Sequence, residues 1–485
     1  MRVLFVYTTD WIDLRTYKLL GLQYSYLGIS YLSSHLKYTG HQTDLLLLSK
    51  ILSKKTTFKL ITEKLNSSKP DLICFTCVAT EYPYNSLIAN FIKTNHPEIP
   101  LIIGGPHVSL SSDEAIRDCF NYICIGEGEF SLSELCTCLT NSNEPLDIPN
   151  LIIKHDGKIN ANPVRPFNCD LDSLPFPDRE LWNNVIDYDK SQSIPVLLGR
   201  GCPFLCTYCS NHALMKLAEG KYVRLRSVEN ILMELKELIN SYPNLINYYL
   251  EVETFGIDKK WAFELCDALA ALNSSIPNPR TFGTNLRITP RTSYEDLFGA
   301  MKRANFEYIN IGLESGSDRV RREILNRKYS NDDVLSAIRL AQNAGLRVNI
   351  YNLIGLPGET WNEFKETVEF NKKAQPATSL HSIFYPYPGT KLFDVCKNMG
   401  LLEKRIETDK ERLSPVLDMP GFSKSQIMKA YLWFDYYIYK GIKPLPELLI
   451  SYLRRKINTF HYYNNLRRLT LTSFLINVLR RKFRK

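Results

Sequence analysis

Three cysteines fall within eight residues of the stretch GRGCPFLCTYCSNH, which begins at Gly199. They are Cys202, Cys206 and Cys209, spaced C-x-x-x-C-x-x-C. Thiolate sulfur is a soft ligand that suits zinc and iron–sulfur clusters. A structural zinc ion takes four ligands and closes its coordination sphere, and here the fourth would have to be His212 or a distant cysteine. The surroundings are wrong for a small zinc module: SIPVLLGRG before the motif reads as a strand, and a long α/β stretch follows. Three cysteines on a loop at a strand's end can instead hold three irons of a 4Fe–4S cluster and leave the fourth iron open to another ligand.

The elements that must hold such a loop are legible on both sides of it. Upstream, the apolar runs RVLFVY, QTDLLLLS, DLICFTCV, PLIIGG and YICIG alternate with helical patterns such as LGISYLSSHLKYTG. That alternation predicts an open parallel sheet with helices on both faces. Two of the strands run into glycine turns, Gly104-Gly105-Pro106-His107 and Gly126-Glu127-Gly128-Glu129. Ligands of such sheets sit at the carboxyl ends of the strands, where glycine lets the backbone come close. Taken by themselves, the same glycines equally serve tight turns. Downstream, strands alternate with helical segments such as SVENILMELKELINS and NDDVLSAIRLAQNAG. Their number and length predict an open partial barrel of about six βα units rather than the closed eight. Four segments result: 1–145, a Pro-, Asn- and Asp-rich connector 146–190 with one hairpin-like stretch, the barrel 191–400, and a helical extension 401–485.

With 485 residues, 44% of them hydrophobic and 23% charged, the chain is expected to form two or three globular domains. The opening MRVLFVYTTDW lacks the basic start and cleavage site of a signal peptide. No charge-free run of about 18 apolar residues is present. The twelve cysteines form no visible disulfide framework, so a reducing cytoplasmic setting is expected. The net charge of +9 is local. Residues 441–485 hold eleven Lys or Arg against the single acid Glu447, which leaves the body close to neutral.

The cysteine stretch resembles the signature of radical S-adenosylmethionine enzymes, down to the aromatic Tyr208 before the last cysteine, which in that family lies beside the cofactor. The resemblance implies that the open iron chelates the amino and carboxylate groups of S-adenosylmethionine. It also implies that an electron from an external flavodoxin- or ferredoxin-type donor, passed through the cluster, cleaves the sulfonium to methionine and a 5′-deoxyadenosyl radical. Further segments follow the family in order. YYLEVETFGIDKKW is similar to its acidic second strand, with Val252 in place of the first acid, Glu253 as the second and Phe255 retained; Glu251 or Glu253 is the implied acceptor for the methionyl ammonium. TFGTNLRITP supplies Asn285 and Arg287, the latter suited to a carboxylate. YINIGLESGSD places Glu314 near the ribose side, and IFYPYPGTKLF is expected as a strand at the adenine end.

Residues 1–145 resemble the cobalamin-binding domain that precedes many such enzymes, through YLGISYLSSHLKYTGHQTDLL, PDLICFTCVAT, IIGGPHVSL and ICIGEGEFSLSEL. The implied fold is a doubly wound, Rossmann-like α/β domain, followed by the partial (β/α)6 barrel. The implied cofactor contacts are Thr76, Gly104, Gly105, His107, Gly126, Glu127 and Gly128. The D-x-H-x-x-G string whose histidine ligates cobalt is absent. Cobalamin is therefore expected base-off with no protein histidine below the metal, and His107 is expected in turn packing or at the nucleotide tail.

Together the resemblances imply a cobalamin-dependent radical S-adenosylmethionine enzyme. Methylation of an unactivated carbon in a small-molecule or lipid-like substrate is the first expectation, and oxidative cyclisation or rearrangement with the same cofactors is the alternative. A tRNA methylthiotransferase would share the radical core but needs cysteines for a second cluster, whereas Cys74 and Cys77 sit on a strand and at its end. A zinc-binding interaction module is the non-enzymatic alternative. If RRLTLTSFLINVLRRKFRK is helical, as its pattern predicts, Leu471, Phe474, Leu475, Val478 and Leu479 would share a face with Arg467, Arg468, Arg480, Arg481 and Lys482 around it. This basic tail is expected either to touch an anionic inner membrane face or to cap the barrel mouth. Nucleic acid ranks last, because no RNA module accompanies it.

Overall fold

The computed structural model describes residues 1–9, 12–13, 18–19, 26–155, 157–188, 191, 193–402 and 411–464. The tail segment 465–485, with its expected amphipathic face, lies outside the described residues. The chain divides into two compact units, residues 1–204 with 210–245, and residues 205–209 with 246–485.

The first unit is built on seven strands: β1 (Arg2–Thr8), β2 (Gln42–Leu48), β3 (Leu72–Thr76), β4 (Leu101–Gly104), β5 (Tyr122–Cys124), β6 (Leu151–His155) and β7 (Lys158–Ala161). Their order is β2-β1-β3-β4-β5-β6-β7. The first five are parallel. Val3, Leu4, Phe5 and Val6 are all buried, as a strand covered by helices on both faces requires. Helices Leu27–Tyr38, Lys54–Ser68, Tyr82–Asn95 and Glu129–Thr140 supply those layers. The hairpin expected inside the connector belongs to this sheet. β6 runs antiparallel to β5, pairing Cys124 with Leu151, and β7 follows antiparallel. Its apolar residues Leu151, Ile152 and Ile153 are buried, and it covers the edge that β5 would otherwise leave open.

The second unit holds five parallel strands in sequential order: β9 (Asn247–Glu251), β10 (Thr281–Leu286), β11 (Phe306–Glu314), β12 (Arg347–Ile354) and β13 (Thr378–Ile383). With β8 (Ile194–Leu197), which leads into the cysteine loop, the expected six strands are all present. Burial alternates along them. In β9, Tyr248 and Leu250 are buried toward the helices, while Tyr249 and Glu251 are half-buried on the other face. The expected strand IFYPYPG is corrected: the strand is Thr378–Ile383 and ends before Phe384. Pro386 and Pro388 have no N–H to give to a ladder.

Helix Lys424–Tyr439 packs against β13 and helix Trp361–Ala374. Its buried stripe Ile427, Ala430, Tyr431 and Phe434 joins Phe364 and Val368 in one core. It therefore packs in the helix layer beside the sheet. Among the described residues no helix is long and apolar enough to cross a membrane.

Candidate functional site

After β8 the chain forms a two-residue strand, Gly199–Arg200, antiparallel to Arg224–Leu225. Gly201 then adopts φ +86°, and a Cβ there would collide with the Tyr222 carbonyl. The cysteine loop follows. None of Cys202, Cys206 and Cys209 is in a disulfide; Cys206 is buried and the other two are partly exposed. In the second unit, the Cys209 N–H donates to the Cys206 carbonyl at 3.2 Å, and the Leu392 N–H donates to the Thr207 carbonyl at 2.9 Å. Arg287 Nη1 lies 2.5 Å from Cys206 Sγ. Among the described residues no three His, Cys, Asp or Glu side chains stand together as ligands for a metal ion. The metal-ligand reading of the three cysteines thus rests on donor chemistry and spacing, not on a preassembled cage. Unbridged thiols on one loop are a donor set that fits an iron–sulfur cluster.

The polar residues expected around S-adenosylmethionine lie at the carboxyl ends of β9, β10 and β11. Burial, and then the neighbouring Glu253, push the Glu251 carboxyl up to about 7; Glu253 itself is exposed. Asn285 Oδ1 accepts from the Tyr249 hydroxyl at 2.6 Å, and its Nδ2 donates to the Val252 carbonyl at 3.2 Å. The Arg287 N–H donates to Thr254 Oγ1 at 2.9 Å. Glu314 ends β11 at φ +64°, a conformation that L-residues rarely adopt and that clusters at functional sites. Its Oε1 accepts from the Tyr208 hydroxyl at 2.9 Å and from Arg327 Nη2 at 3.0 Å. Arg327 also donates to the Gly312 carbonyl at 2.6 Å and to Tyr329 at 2.8 Å. Sequence reasoning missed Arg327, because ILNRKY reads as an ordinary solvated basic stretch and carries no motif.

In the first unit a cavity of about 390 Å³ opens at the carboxyl ends of β1, β3, β4 and β5. Thr76, Gly104, Gly105, Gly126, Glu127 and Gly128 all line it, as do the apolar Phe5 and Phe75. Part of its floor is bare backbone. A Cβ on Gly128 would press on Leu32 and Cys124, and Gly105 sits at φ +102°. A wide, largely apolar cavity with a glycine floor fits a flat corrin macrocycle.

His107, expected in turn packing or at the nucleotide tail, is not among the residues that line the cavity. It lies in the short helix Pro106–Leu110. It is buried beside Tyr82, ring centroids 5.2 Å apart, with Nε2 3.9 Å from Glu114. Glu127 is in the wall, but its carboxylate is already paired. Arg224 donates to it at 2.9 and 3.0 Å, and Arg200 at 3.1 Å. Burial would raise the Glu127 carboxyl, yet the bonds from Arg224 and the charge of Arg200 hold it below the usual range. Arg200 also reaches Glu129 at 2.6 Å and lies over the Tyr31 ring. Neither arginine was singled out in the sequence. Arg200 stands two residues before the first cysteine, which was the one available signal.

A cavity at the carboxyl ends of a doubly wound sheet and a loop of three cysteines are the two places in this α/β chain that fit cofactors. Residues 196–370 match the Radical SAM superfamily and residues 19–136 the B12 binding domain. The chain belongs to the radical S-adenosylmethionine enzymes that carry a cobalamin-binding domain, and its cofactors are S-adenosylmethionine, a 4Fe–4S cluster and cobalamin. It is 28% identical over 417 residues to an uncharacterized methyltransferase of Pyrococcus horikoshii, across 84% of this chain and 87% of that protein. It is 23% identical over 379 residues to an anaerobic magnesium-protoporphyrin IX monomethyl ester cyclase of Rubrivivax gelatinosus, across 75% and 65%. Its fold is similar to that of the radical S-adenosylmethionine methyltransferase TsrM from Kitasatospora setae, solved with cobalamin and a [4Fe–4S] cluster. The TM-score is 0.66 at 14% identity, over 96% of this chain and 99% of that one.

Proposed function

We propose that the protein transfers a methyl group to an unactivated carbon of a small-molecule or lipid-like substrate. The observation that carries this reading is the presence on one chain of a glycine-floored cavity and of a loop with three cysteines spaced C-x-x-x-C-x-x-C. The methyltransferases among the similar proteins support it. When bound, the cofactors supply the methyl group and the hydrogen-abstracting radical. The chain supplies placement and exclusion of competing reactions. Cys202, Cys206 and Cys209 hold three irons. Glu251 or Glu253 accepts from the methionyl ammonium, Arg287 pairs with the carboxylate, and Glu314 accepts from the ribose side through the carboxylate oxygen that Tyr208 and Arg327 leave open. Thr76 and the two glycine turns bear on the corrin. Electrons come from a flavodoxin- or ferredoxin-type donor in the cytoplasm.

Cyclisation or rearrangement is the second reading, favoured by the similarity to the Rubrivivax cyclase. The two separate when anaerobically purified protein, loaded with cluster and cobalamin, is given methyl-deuterated S-adenosylmethionine and a strong reductant. Methyl transfer predicts S-adenosylhomocysteine together with 5′-deoxyadenosine, and label in the corrin fraction. 5′-Deoxyadenosine and methionine alone, with an unlabelled corrin, would sink the methylation reading and leave the cyclase one.

A further inference from the structure

Helix Leu445–Asn464 closes the described part of the chain, and one side of it is apolar and bare. Leu445, Leu449 and Leu453 are 55%, 40% and 44% exposed, and Ile442 just before the helix is 61% exposed. Steps of four residues stack the leucines on one face. The other side ties the helix down. Leu448 is buried in the core of the second unit, the Ser451 hydroxyl donates to Asp435 at 2.6 Å, and Arg455 pairs with Asp435 at 2.7 Å. The Trp433 and Tyr452 rings pack at a tilt with centroids 4.4 Å apart. The stripe is therefore displayed by a docked helix. Isolated exposed leucines are ordinary, but a contiguous row of apolar side chains marks an interaction surface.

Charge identifies the occupant. Lys443, Arg454 and Lys456 flank the stripe in sequence, and the only acid after Gly441 is Glu447, already paired with Lys443 at 3.2 Å. The residues beyond 464 add seven Lys or Arg and no acid. A second copy of the same face would bring like charges together. An apolar row flanked by cations fits a surface with an apolar interior and anionic headgroups. We infer that Ile442, Leu445, Leu449 and Leu453 form a face that docks the protein on an anionic lipid bilayer. The inference concerns where the enzyme works and does not depend on methyl transfer, although a docked enzyme favours a lipid-like substrate.

The test is co-sedimentation of the full chain with vesicles of phosphatidylcholine containing phosphatidylglycerol, against pure phosphatidylcholine. Pelleting is expected only with the anionic vesicles and should fall as salt screens the attraction. The L445S/L449S/L453S variant should lower the partition coefficient at least tenfold while keeping circular dichroism and corrin binding, and K443E/K456E should lower it severalfold. Three results would each overturn the proposal: no pelleting of the wild-type chain, equal pelleting of the triple serine variant, or a dimer that the triple variant dissociates.

Discussion

The Arg327 guanidinium donates to Glu314 Oε1 at 3.0 Å, and the two side chains are only 8% and 10% exposed. The pair lies where β11 ends in a left-handed residue, so the backbone that aims Glu314 is held by an ion pair from outside the strand. Tyr208 shares the same carboxylate oxygen, and burial pushes its phenol well up. The aromatic residue of the cysteine loop and the acid of β11 are thereby locked into one hydrogen-bonded group.

Removing one member strands a buried charge. Arg327→Ala should cost about 3–5 kcal/mol of stability. Arg327→Lys should recover only part, since an ammonium cannot fork to the carboxylate and the Gly312 carbonyl together. In the double variant Arg327→Met, Glu314→Gln, the loss should be smaller than the sum of the single losses. Chemical unfolding of the set reads the coupling, and additivity would show that the pair does not hold β11.

Glu251 titrates from about 7 in the fold against an ordinary 4.5. Between those values the folded chain binds more protons than the unfolded one, so stability falls as pH rises through this window and levels off above 7. Glu251→Gln should remove that part of the slope. Glu359, pushed by burial up to about 8, slopes both curves alike, so the difference between them isolates Glu251. Binding of an unreactive S-adenosylmethionine analogue should tighten as pH rises through 7 in the wild type only. Matching pH profiles for the two proteins would remove Glu251 from the ammonium site.

Glu127 joins Arg200 and Arg224, and the Arg224 side chain is 3% exposed. Glu127→Ala should destabilise by about 3–5 kcal/mol through uncompensated arginines, and Glu127→Gln by less. The Glu127 carboxyl is depressed, so its contribution is present above the ordinary glutamate range and is lost as pH falls through its own lower value. The wild-type advantage over Glu127→Gln, measured by thermal unfolding, should shrink in acid. A constant gap would mean that the carboxylate charge is not what matters.

No histidine lines the cavity among the described residues, so the Co(II) form of bound cobalamin should show no imidazole nitrogen splitting in electron paramagnetic resonance. His107→Ala should lower the melting temperature by opening a gap beside Tyr82 and leave the spectrum unchanged. A splitting that disappears in this variant would put His107 back below the cobalt.

Each single alanine substitution at Cys202, Cys206 or Cys209 should abolish bound iron and acid-labile sulfide after anaerobic reconstitution, with circular dichroism retained. Full iron content in any one of them would exclude that cysteine as a ligand.

Local chemistry determined what the sequence could state by itself. The cysteine spacing, the glycine turns after β4 and β5 and the period-2 and period-3.6 patterns are short-range signals, and they carried the fold class and the two cofactor domains. Other features depended on neighbours far along the chain. Glu127 meets Arg224 across 97 residues and Tyr208 meets Arg327 across 119, and no local pattern records such partners. His107 sits in a motif that invited a ligand role, yet one turn of helix after Gly105 swings its ring toward Tyr82. The hairpin Leu151–Ala161 read as connector because its length and composition are those of a loop, and only the open edge of β5 made it part of the sheet. The leucine row after Ile442 was written in the sequence, but which side of that helix faces the core was decided by Leu448 entering the core of the second unit and by Ser451 and Arg455 finding Asp435 on the preceding helix. Tertiary structure decides such matters because burial and ion pairing are properties of the packed neighbourhood, which residue order alone does not specify.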